Sequence, residues 1–211
     1  MTSKYFTIFS AVLVFILFDT TQSGFRAQEI ADPGIGDPYP LVNCILSGEP
    51  LDEGLETIDY QGREIRVCCA DCASRFANEA DIRIDEINAV LIEQQKPWYP
   101  LDKCIVTGKA LGKETIDYIF RNRLFRLSSL EAVAKLEKAP AQYFGELDLA
   151  VVEKQSKDYP LKTCVVSGKA LDDGAIDHVV ANMLVRLAGY DQLAAFNENP
   201  GKYLEKIRDA R

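Results

Sequence analysis

The sequence predicts an α+β chain of three tandem small units, each a knuckle, a β-hairpin and helices, with the second and third degenerate. Three observations carry this expectation. A segment recurs at a spacing of 60 residues: Tyr39-Pro40-Leu41 leads to Cys44, Tyr99-Pro100-Leu101 to Cys104, and Tyr159-Pro160-Leu161 to Cys164. Beyond it Arg66, Arg126 and Arg186 stay in register, as do Phe76, Leu136 and Phe196, so the period belongs to a structural unit. Only the first unit adds a second cysteine cluster, Cys68-Cys69-Ala70-Asp71-Cys72. Sixty residues on, the places of Cys68 and Cys72 hold Ser128 and Ala132, and then Ala188 and Gln192.

Along the chain, residues 5–18 form an apolar run between Lys4 and the polar stretch Asp19 to Ser23. That is the pattern of a secretory signal peptide, assigned with the start of a tether to residues 1–27, and it implies a secreted or periplasmic location. The run is short for a membrane span, so membrane contact is expected only through an uncleaved leader. Residues 24–37, with Pro33-Gly34-Ile35-Gly36, read as a flexible tether. The three units are then placed at 37–97, 98–157 and 158–211.

Each unit opens on a Cys-x3-Gly knuckle: CILSG from Cys44, CIVTG from Cys104 and CVVSG from Cys164. Two short strands follow. In the first unit these are Glu56 to Tyr60 and Arg63 to Val67 around Gln61-Gly62; the matching turns are Arg121-Asn122 and Ala181-Asn182. Gly and Asn tolerate the positive φ of a two-residue hairpin turn. Helices come next: Tyr190, Leu193 and Phe196 have helical spacing, and Pro200 opens a helix bearing Tyr203, Leu204 and Ile207. Pro140, Tyr143, Phe144 and Leu147 repeat this in the second unit, and Ala80, Ile84, Ile87 and Leu91 in the first. Residues 94–98 and 154–158 read as polar linkers. Sixty residues is small for a free-standing core, so each unit is expected to lean on its neighbours or on a staple. In the units without the cysteine cluster, Leu130 with Val133 and Tyr190 with Leu193 are expected to pack under the helix instead.

With 32 acidic and 24 basic residues, for a formal charge of -8, the chain is a poor partner for nucleic acid. Its chemistry lies in the cysteines. Cys68 ends a strand, Cys72 falls on the first turn of a helix, and the knuckle returns Cys44 towards both. This is the arrangement of a treble-clef metal site, and gathered thiolates take Zn²⁺ or Cu(I). Cys69, Asp71, Glu49 or water are the candidates for a fourth ligand, and a three-thiolate site suits Cu(I). Disulfides are the competing reading for an exported chain, although three cysteines within five residues make a poor framework for bridges.

The segment VCCADCASRF, at 67–76, resembles the TRASH and YHS metal-binding modules. Their pattern is a first cysteine, a hairpin, then Phe-Cys-x3-Cys-x3-Phe and often Asn-Pro-x-x-Tyr. Cys44, Cys68, Cys72 and Phe76 match it, and Asn199-Pro200-Gly201-Lys202-Tyr203 matches its tail. The first unit departs from the pattern by having Glu79-Ala80-Asp81 instead of the tail and a single knuckle cysteine. The resemblance implies metal sensing, chaperoning or trafficking. The motif is complete only in the first unit, so one site is expected, and with no catalytic arrangement in the sequence a non-enzymatic protein is expected.

Two other readings stand beside it. One is a structural or protein-interaction repeat protein, docking another exported protein, with inert or bridged cysteines. The other is a thiol oxidoreductase using Cys69 and Cys72, whose spacing is C-x2-C, although no thioredoxin-like flank accompanies it. Cys104 and Cys164 read as small buried residues. His178, the only histidine, reads as an exposed strand residue.

Overall fold

The computed structural model describes residues 34–52 and 54–211. The expected leader at 1–27, and the tether as far as residue 33, lie outside the described residues. The first hairpin pairs β1 (Glu56–Tyr60) with β2 (Arg63–Val67), followed by helices α1 (Ala70–Asn78) and α2 (Ala80–Gln95). The second pairs β3 (Ile116–Phe120) with β4 (Arg123–Leu127), followed by α3 (Leu130–Lys138) and α4 (Pro140–Gln155). The third pairs β5 (Ile176–Val180) with β6 (Met183–Leu187), followed by α5 (Leu193–Glu198) and α6 (Pro200–Asp209). The described chain is thus mixed α and β, with small two-stranded antiparallel sheets and six α-helices, none long and apolar enough to cross a membrane.

Tyr60 pairs with Arg63, Phe120 with Arg123 and Val180 with Met183, which leaves the two-residue turns the sequence predicted. Both residues of every turn have positive φ, from 46° at Arg121 to 74° at Gly62, as a type I′ turn requires. β2 buries alternate residues Arg63, Ile65 and Val67. The helices start on ordinary signals: the Ser129 hydroxyl accepts from the Ala132 N–H, and the Asn199 side chain from the Lys202 N–H ahead of Pro200.

Each long helix covers the hairpin that follows it in sequence. α2 packs on β3 and β4, and α4 on β5 and β6. Residues 94–98, expected as a polar linker, are therefore helical, whereas of 154–158 the first two residues lie in α4 and the rest form a turn. Gln95 ends α2, is 1 % exposed, accepts from the Leu124 N–H at 2.8 Å and donates to the Asn122 carbonyl at 2.8 Å. Gln155 repeats this on the Leu184 N–H and the Asn182 carbonyl. A polar residue is required there because a helix-covered strand edge has backbone groups that water no longer reaches.

The tether expectation is also corrected at its described end. The Asp37 N–H donates to the Arg121 carbonyl at 3.0 Å, and the Asp37 carboxylate is buried against Arg123 and the Ala181 N–H. This stretch is pinned by charge between two hairpin tips. One apolar core runs through the first and second hairpins, joining Ile65, Val67, Phe76, Ile87 and Leu91 to Leu124, Phe125, Leu136 and Leu147. Reliance on neighbours is thus a property of the fold. The last segment returns to the first: Arg66 donates to the Asn197 and Glu198 carbonyls, and a Cβ on Gly201 would meet the Leu41 carbonyl at 2.7 Å.

Candidate metal centre

The knuckle carrying Cys44 is closed by backbone bonds from the Cys44 N–H to the Glu49 carbonyl and from the Gly48 N–H to the Cys44 carbonyl, both 2.7 Å. Gly48 takes φ 79°, the left-handed conformation that closes this turn without a Cβ penalty. The thiol of Cys44 is turned inward, 1 % exposed. Cys68 follows β2, Cys69 caps α1 in an extended conformation, and Cys72 lies on its first turn, buried. The sulfurs of Cys44, Cys68 and Cys72 lie within 4.8 Å of one another, and those of Cys68 and Cys72 are 3.7 Å apart. Zn–thiolate bonds of about 2.3 Å in a tetrahedron put neighbouring sulfurs about 3.8 Å apart, so the donor set and spacing fit a thiophilic ion.

Cys69 stands differently from the other three. Its sulfur is exposed, 3.7 Å from that of Cys68 and outside the mutually close group, as are Glu49 and Asp71. Of the side chains named from the sequence as a fourth ligand, Cys69 borders the group through Cys68, while Glu49 and Asp71 are outside it. One partner that sequence reasoning missed is Ser47, whose hydroxyl lies 3.2 Å from the Cys68 sulfur. A hydroxyl at the fourth place of all three knuckles was the available signal.

The thiols differ in acidity. Burial works against ionising Cys44, but hydrogen bonds from the Ser47 hydroxyl and from the backbone of Cys68, Leu46 and Ser47 bring it down to about 7. Burial and the three neighbouring thiols push Cys72 up to about 12. Cys68 is raised although the Ser47 contact opposes this, and Cys69 is lowered, chiefly by the Cys72 backbone N–H. Crowding sulfurs this closely disfavours collecting several negative charges, and a bound cation removes that penalty.

All six cysteines are unbridged. Cys104 and Cys164 are buried, as expected of them. Around Cys104 the matching positions carry hydroxyls: Thr107 Oγ1 lies 2.8 Å from Ser128 Oγ, where Ser47 meets Cys68 in the first hairpin. Ala132 is fully buried in the place of Cys72. Two expectations fail here. Leu130 and Tyr190 do not pack under their helices but are 73 % and 77 % exposed, because they lie at the helix starts, on the outer side; Val133 and Leu193 do pack inward. His178 is half-buried rather than exposed, edge-on to Phe196 with its Nε2 sealed from solvent, because α5 folds over that strand. Comparison with protein-family models, curated proteins and solved structures finds no match.

Proposed function

We propose that this chain is an exported, non-enzymatic metal-binding protein of the sensing, chaperone or trafficking type. It holds one Zn²⁺ or Cu(I) ion on Cys44, Cys68 and Cys72 within three treble-clef-like units, of which the second and third are degenerate and serve as scaffold or docking surface. The observation that carries this reading is the convergence of three sulfurs from two separate elements to within 4.8 Å, two of them inside the core. A ligand set half-sealed in this way suits retention of an ion better than rapid dithiol turnover. The test is native mass spectrometry of the full-length mature protein as isolated, before and after Zn²⁺ or Cu(I) exposure. One retained equivalent supports the reading. A mass 2 Da lower without metal would replace it by a disulfide-bonded interaction protein.

A second reading rests on Cys69. Its exposed thiol at a helix N-terminus, held below the usual thiol range by the Cys72 N–H, suits thiol–disulfide exchange with Cys72. Catalytic turnover of a dithiol or disulfide substrate, lost in Cys69→Ser, would establish it.

A further inference from the structure

Arg63 and Arg123 open β2 and β4 at positions 60 residues apart, yet among the described residues only Arg123 meets carboxylates. Arg123, 1 % exposed, grips the Asp37 carboxylate through Nε and Nη2, with Nη2 also on the Val179 carbonyl and Nη1 2.6 Å from Asp148. Arg63, 7 % exposed, donates from Nε to Asn122 Oδ1 and from Nη1 to Asn88 Oδ1, both 2.7 Å, while its buried Nη2 has no hydrogen-bond partner among the described residues. Asn88 stands 60 residues before Asp148. Where one guanidinium finds a carboxylate, the other finds a neutral amide.

The surroundings match in the same way. Arg123 borders a cleft of about 310 Å³ lined by Phe144, Asp148, His178 and Val179, into which residues 34–38 bring Asp37. Arg63 borders a cleft of about 270 Å³ lined by the residues 60 positions earlier, Ile84, Asn88, Tyr118 and Ile119. Among the described residues nothing brings a carboxylate onto Arg63 there; Glu137, on the same cleft, accepts from the Tyr118 hydroxyl at 2.6 Å. A second cleft of about 410 Å³ also touches Arg63, but its Asp37, Asp59 and Glu64 are engaged by Arg123, the Gly62 N–H and Arg66. Burial pushes Arg63 down to about 10, against a weaker opposing pull from Tyr39, so it remains a cation at neutral pH. An enclosed cation without a counter-ion is costly, and an anion that reaches it recovers that cost.

We propose that the cleft at Arg63 is a binding site for a small carboxylate anion, seated on the Nη2 of this guanidinium that neither Asn122 nor Asn88 engages. The test titrates the full-length reduced protein with sodium acetate, against sodium chloride at matched ionic strength, and reads the thermal midpoint. The expected result is a saturable rise with acetate that chloride does not reproduce. Arg63→Met, which installs the residue β6 carries at this place as Met183, should abolish the response. Asn88→Asp, which supplies the carboxylate that Arg123 finds in Asp148, should raise the acetate-free midpoint and weaken the acetate response by neutralising the same cation. No saturable rise in the wild type, or an undiminished response in either variant that folds, overturns the proposal.

Discussion

The Ser47 hydroxyl lies 3.2 Å from the Cys68 sulfur, clasping the first knuckle to the end of β2. Thr107 and Ser128 make the same clasp at 2.8 Å with two hydroxyls. The clasp thus survives exchange of sulfur for oxygen, whereas a thiophilic site does not.

Cys68→Ser is therefore expected to fold and keep the clasp while losing metal. The loss should at least match the roughly 10–100-fold that removing an outer-shell partner costs. Cys72→Ser should lose metal as well and loosen the first hairpin locally, since binding and folding are coupled in a small site. Cys69→Ser should retain close to one equivalent, because its sulfur lies outside the close group. Metal content by mass spectrometry and competition with a chelator read all three. Loss of binding in Cys69→Ser comparable to that in Cys72→Ser would make Cys69 a ligand.

The second hairpin offers the converse experiment. Cys104 is buried, and its thiol is brought down to about 7 by the Thr107 and Ser128 hydroxyls, against the opposing effect of burial. Ser128→Cys combined with Ala132→Cys rebuilds the ligand pattern 60 residues on. We expect the stoichiometry to rise from one to two, with a packing cost at Ala132 of about 1–3 kcal/mol in the metal-free form. A stoichiometry that stays at one in a folded double variant would mean that the first site needs more than its three sulfurs.

Gln95→Ala tests how the segments are joined. It strands the Leu124 N–H and the Asn122 carbonyl under α2. The expected destabilisation is about 2–4 kcal/mol by denaturant unfolding, with Gln155→Ala similar. A loss below about 1 kcal/mol would show that water reaches these groups.

His178 supplies a pH dependence. Burial, aided by Arg123, holds its imidazole below the usual histidine range, against Asp37 and Asp148. The neutral ring is the form the fold prefers. Its contribution to stability is therefore complete above the unfolded-state pKa of about 6.5 and is lost as pH falls through the lower folded-state value. Tyr118 occupies the matching strand position, so His178→Tyr is a compatible replacement. Between about pH 7 and pH 5.5 the thermal midpoint of the wild type should fall relative to that of the variant. Parallel curves would show that His178 titrates alike in the folded and unfolded chain.

Much of this molecule was legible in one dimension because its causes are local. The 60-residue period, the strands at 56–60 and 63–67 and the positive-φ turns follow from alternation and turn chemistry acting over a few residues. Cys44, Cys68 and Cys72 were legible for a related reason, since a knuckle and a strand-to-helix junction leave few directions for their sulfurs. Gln95 and Gln155 repeat in the sequence too, but polarity alone places them in a linker. Only the docking of each long helix on the next hairpin reveals the strand edge they satisfy. Asp37 pairs with Arg123 across 86 positions and Arg63 meets no carboxylate among the described residues, and no local rule sets either outcome. Leu130 and Tyr190 were misplaced for the same reason: apolar character says that a side chain gains from burial, not which side of its helix is covered. Short-range geometry decides which elements form. The pairing of buried charges and amides is decided where distant elements exclude water from one another, and that is settled only when they pack.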